Sequence, residues 1–108
     1  MSEPQAAGSP IYSEFRSDED MAELVELFVE DMQGRIDSMT SALDAQDWAQ
    51  LTTLAHQLKG ASGGYGFGPV GEAAAKLEHT LRAGDFSDVD RLRQETDDLI
   101  GLCRRVRA

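Results

Sequence analysis

The sequence predicts an all-α protein: an antiparallel up-down four-helix bundle preceded by an extended or short-helical lead-in. Three observations carry this. Apolar residues recur every three or four positions in four separate stretches, as helices with one buried face require. The stretches are joined by short links that hold cap and turn residues. No stretch alternates convincingly with period two, so no sheet is expected. The 108 residues suit one domain with one core. Residues 1–17 are expected to form a flexible N-terminal segment and residues 18–108 the bundle.

In the lead-in, Pro4, Gly8 and Pro10 break regular structure, and Ile11, Tyr12 and Phe15 offer apolar groups that could pack on the body. A first helix should start near Asp18, capped by Ser17 or Asp18, with acids in its first turns where the helix dipole favours them. Its stripe runs Met21, Leu24, Val25, Phe28, Met32, Ile36, Met39, Leu43. Asp47 should cap a second helix whose inward side is Trp48, Leu51, Leu54, Ala55, Leu58 and Ser62. That helix runs into Gly63, Gly64, Gly66 and Gly68, after which Pro69 suits the first turn of a third. Val70, Ala73, Ala74, Leu77 and Leu81 form the third stripe, and Gly84 ends it. Ser87 should cap a fourth helix carrying Val89, Leu92, Thr96, Leu99, Ile100, Cys103 and Val106, with Arg104, Arg105 and Arg107 at its C-terminal end.

Composition narrows the function. Ten basic against twenty acidic residues give a formal charge of -10. Such a surface repels nucleic-acid backbones and anionic lipid, so neither is an expected partner. No run reaches the roughly 18 apolar residues of a membrane span, and Met1 to Pro10 lack the basic start and apolar stretch of a signal peptide. A cytoplasmic monomer is expected. The single cysteine, Cys103, lies in an apolar helical pattern and reads as a small core residue.

The chemistry points to His56. At about 100° per residue, Leu54, Ala55 and Leu58 fall within about 60° of Leu51, while His56 falls at roughly 140°, away from the core. Thr52, Gly60 and Gly63 share its face. Two glycines beside an exposed imidazole imply that another surface comes close, because each weakens the helix by about 0.5–1 kcal/mol relative to alanine. Lys59, one turn on, can bring an ammonium to anionic oxygens near the ring. A histidine is nucleophilic at neutral pH, so this face is equipped to accept and hold a phosphoryl group.

The segment Ala55-His56-Gln57-Leu58-Lys59-Gly60-Ala61-Ser62, followed by Gly66, Val70, Ala74 and Leu77-Glu78, resembles the signature of the histidine phosphotransfer (HPt) family of two-component phosphorelays. It departs from that pattern at Tyr65 and Phe67, where smaller aliphatic residues are usual, and in the extra glycines of the link. The resemblance implies a phosphoryl carrier without independent turnover. His56 would be phosphorylated on Nε2, Lys59 would neutralise the phosphoryl oxygens, and Glu78 would hydrogen-bond Nδ1 to fix the reactive tautomer. Thr52, Gly60 and Gly63 would face the docking partner, a response-regulator receiver domain or a hybrid sensor histidine kinase. The acceptor aspartate and its magnesium belong to the receiver, so no cofactor or metal is expected on this chain. On this reading Lys59 matters more than Glu78, whose bond to the ring water could replace.

Three other readings compete. A di-metal bundle would place Glu three residues before His, but Thr53 and Lys76 stand there before His56 and His79. His79 reads as exposed and inert. A helical adaptor without phosphotransfer would have no use for the His56, Lys59 and Gly60 set. A phospho-accepting fragment of a chemotaxis-type kinase would normally be joined to an ATP-binding domain.

Overall fold

Asp18 opens the first helix as expected, its carboxylate accepting from the backbone N–H of Asp20. In the computed structural model, which describes residues 8–108, the elements run β1 (Ile11–Tyr12), α1 (Glu19–Asp44), α2 (Trp48–Gly64), α3 (Gly68–Arg82), α4 (Val89–Cys103) and β2 (Val106–Arg107). The four helices form an all-α bundle. Asp47 caps α2 through the N–H of Gln50, Pro69 sits in the first turn of α3, and Gly84, at φ +78°, follows the end of α3. One core runs through the bundle, with Met39, Leu51, Leu58, Leu77 and Leu99 fully buried. Cys103 is buried and free, and burial pushes its thiol up to about 12.

Several expectations are corrected. Asp88 rather than Ser87 caps α4, accepting from the N–H of Arg91. The last helix stops at Cys103, so Val106 and Arg107 lie in β2. That strand pairs in parallel with β1, Ile11 opposite Val106 and Tyr12 opposite Arg107. A two-residue ladder is too short to leave a period-two pattern in sequence. Leu24 is 43% exposed rather than inward. At about 100° per residue Leu24 stands well off the line of Val25 and Ile36, which are buried, at the solvent edge of the stripe.

Part of the lead-in expected as residues 1–17 lies outside the described residues; the rest rests on the body. Ile11 N–H donates to the Arg105 carbonyl at 2.8 Å and Glu14 N–H to the Gly66 carbonyl at 2.9 Å. Ser13, itself buried, donates its hydroxyl to the Tyr65 carbonyl. Gly66 makes this possible. Its φ is +83°, and a Cβ there would stand 2.7 Å from Ser13 Oγ and 2.9 Å from the Glu14 nitrogen. Beside it, Tyr65 and Phe67 pack against Phe28 with ring centroids 5.3 and 5.4 Å apart. Tyr65 and Phe67 therefore tie the link between α2 and α3 to α1.

Small residues draw α2 and α3 together. A Cβ on Gly71 of α3 would lie 3.6 Å from both the Lys59 carbonyl oxygen and the Ser62 Cβ of α2. This close approach lets a side chain of α3 reach the flank of α2.

Candidate functional site

On α2 the face opposite Leu51 and Ala55 carries His56, whose side chain is 59% exposed. Its Nδ1 lies 2.9 Å from Glu78 Oε2 on α3. An ionised carboxylate only accepts, so this contact calls for a proton on Nδ1 and, in the neutral ring, leaves Nε2 bare. Lys59 Nζ lies 2.8 Å from the other oxygen, Oε1, and Arg82 Nε donates to Oε2 at 2.7 Å. Glu78 itself is only 7% exposed. The structure buries it at the junction of the two helices.

A carboxylate leaving water resists ionisation. Here the Lys59 ammonium, then the Arg82 guanidinium and the His56 ring, outweigh that effect and hold Glu78 at about 2, below its ordinary 4.5. One carboxylate faces two cations. The cluster is therefore locally positive on a chain whose net charge is -10. A shallow groove of about 320 Å³ runs beside it, lined by Lys59, Ala75, Glu78, His79 and Arg82. A larger groove of about 400 Å³ lies between α1 and the start of α2, around Asp37, Ser41, Asp47 and Gln50, and contains none of these groups.

The other residues singled out in the sequence are placed as follows. Thr52 is half-buried, and its hydroxyl donates to the Trp48 carbonyl at 2.7 Å. Gly60 and Gly63 are exposed, and nothing lies within 4 Å of where a Cβ would stand on either. Internal packing therefore does not require glycine at these two positions. His79 is exposed and lines the groove. Two features were missed. Lys59 is engaged by Glu78 rather than loose above the ring, and it is joined there by Arg82. The signal for Arg82 was in the sequence, since it stands four residues after Glu78 on one helix face.

No group of three His, Cys, Asp or Glu residues that could hold a metal ion occurs among the described residues. No helix among them is long and apolar enough to cross a membrane. A family model described as Hpt domain matches residues 23–106. It starts inside α1 and ends in β2, leaving the lead-in outside the match. No curated protein and no solved structure matches the chain.

Proposed function

The chain belongs to the Hpt domain family, and from that premise we propose that it carries a phosphoryl group on His56 Nε2 and exchanges it with the aspartate of a receiver domain. Hpt domains serve two-component phosphorelays as histidine phosphotransfer carriers. One observation supports assigning the chemistry to His56: its ring is open to solvent while Nδ1 is held by the buried carboxylate of Glu78. The free nitrogen therefore faces outward, where a partner can reach it.

The step balances without a base on this chain. The Nε2 lone pair attacks phosphorus, the N–P bond forms, and the acyl phosphate P–O bond breaks. The receiver aspartate leaves as a carboxylate. The ring keeps its Nδ1 proton, becomes cationic, and stays against the anionic Glu78. Phosphoryl transfer depends mainly on position and charge stabilisation, and the Lys59 ammonium beside the ring supplies positive charge. The open surface at Gly60 and Gly63 admits the receiver loop that brings its own aspartate and magnesium. The chain then acts as a cytoplasmic, monomeric intermediate without turnover of its own, serving a receiver or a hybrid kinase.

Label transfer from a receiver domain charged with radioactive acetyl phosphate tests this. Wild type should take up label and His56→Gln none. Circular dichroism of the variant should match wild type, since substitutions at open surface positions usually shift stability by less than about 0.5 kcal/mol. Undiminished label on His56→Gln would place the phosphoryl group elsewhere.

A further inference from the structure

His56, Lys59 and Arg82 converge on one carboxylate, and the proposed transfer, on which this inference rests, draws one of the three away. When the phosphoryl group arrives on Nε2, its oxygens compete with Glu78 Oε1 for the Lys59 ammonium. Lys59 sits on α2 on a flexible stem, 41% exposed, and can turn toward them. Were Lys59 its only cation, that departure would leave unpaired a carboxylate that is only 7% exposed. A nearly buried charge in that state is unfavourable and is relieved by protonation or by swinging out to water. Either response would release the ring.

We propose that Arg82 is a positioning residue that keeps Glu78 ionised and in place while Lys59 serves the phosphoryl group. The two cations divide the carboxylate between them. Lys59 takes Oε1, whereas Arg82 shares Oε2 with His56 Nδ1. Loss of Lys59 therefore frees Oε1 and leaves the oxygen that orients the ring still paired. Arg82 reaches Glu78 from four residues away on α3, so its contact does not depend on how a partner meets α2. Its guanidinium presents its N–H donors in a rigid planar fork that suits a carboxylate. At 60% exposure its remaining N–H groups stay in water, so the arginine itself loses little solvation.

Arg82 and Lys59 are then interchangeable for the resting ring and not for the phosphorylated one. The test compares wild type, Arg82→Gln and Arg82→Lys in rapid-quench transfer from a receiver charged with acetyl phosphate, chosen from a panel as the fastest donor to wild type. Arg82→Gln should lower the maximal rate about tenfold, the scale of one hydrogen bond between charged groups. The receiver concentration at half-maximal rate should not change, and Arg82→Lys should recover most of the loss. In nitrogen-15 spectra of the unphosphorylated chain, Arg82→Gln should keep the proton on His56 Nδ1. The double variant Lys59→Ala with Arg82→Gln should lose that preference. A wild-type maximal rate in Arg82→Gln, a lysine variant no better than glutamine, or a change confined to half-saturation overturns the proposal. A wild-type chain that takes no phosphoryl group from any receiver overturns the carrier reading, and this inference with it.

Discussion

Two glutamates are buried in neighbouring helices, and their surroundings differ. The side chains of Glu78 on α3 and Glu95 on α4 are 7% and 8% exposed, and each pairs with an arginine four residues away on its own helix. Glu78 adds two partners from α2, so both of its oxygens are bonded. Among the described residues Glu95 has Arg91 alone, at 3.2 Å, and its buried Oε1 has no hydrogen-bond partner there. A buried carboxylate is tolerable when its hydrogen-bonding capacity is met and destabilising when it is not. The α3 site is thus a satisfied polar junction between helices. At α4 the same local pair leaves one oxygen unserved. An arginine at i+4 or i−4 does not make a site; donors from a second helix do.

The largest separation should come from removing each carboxylate. Glu78→Ala should lower stability by about 2 kcal/mol, because three donors lose their shared acceptor, and should slow transfer more than Lys59→Ala does. This reverses the ranking drawn from sequence, where Glu78 only oriented the ring. Urea unfolding and rapid-quench transfer on both variants would measure it; equal or inverted effects would show that the junction matters less than a single ammonium.

Acid sharpens the same point. Glu78 is held near 2 from an ordinary 4.5, so its contribution to stability is complete above about 4.5 and fades as pH falls through about 2. The stability gap between wild type and Glu78→Gln should narrow over that window and stay constant above it. A gap that does not change on acidification would mean the carboxylate is not favoured by folding.

The α4 site should respond in the opposite direction. Glu95→Met, close in volume and without the unpaired oxygen, should raise stability by about 1 kcal/mol. A loss of stability in urea unfolding would show that Glu95 is satisfied after all.

The smallest expected effect lies on the open face. Gly60→Leu should stabilise α2 by about 0.5–1 kcal/mol, since a helical glycine is weak and nothing stands within 4 Å of its Cβ position. The same variant should slow transfer from the receiver, because the added side chain stands one turn from His56. Undiminished transfer would show that the partner does not approach there.

Most of the fold was legible because helices announce themselves locally. The caps at Asp18 and Asp47, the stop at Gly84 and the apolar stripes all act within a few residues of one another. The outward position of His56 followed from the same periodicity. What was not legible depends on distant backbone. The docking of Ser13 and Glu14 uses the carbonyls of Tyr65 and Gly66, groups that every residue offers and that leave no compositional mark. Gly66 carried a clue in being a glycine, yet four others nearby masked it. Leu24 lies at the edge of the stripe, where the three-or-four spacing alone does not separate buried from exposed. At the site, His56, Lys59 and Glu78 were named from the sequence, but the convergence of both cations on one carboxylate was not. It depends on how closely α2 approaches α3, which the small residues Ser62 and Gly71 permit.

The central claim is that Glu78 holds the Nδ1 proton so that the outward Nε2 takes the phosphoryl group. Phosphorus–nitrogen correlation spectra of the phosphorylated chain, with nitrogen-15 in its histidines, report the bond directly. One phosphohistidine is expected, at residue 56, with phosphorus coupled to Nε2 and the proton retained on Nδ1. Phosphorus on Nδ1, or on His79, would contradict it.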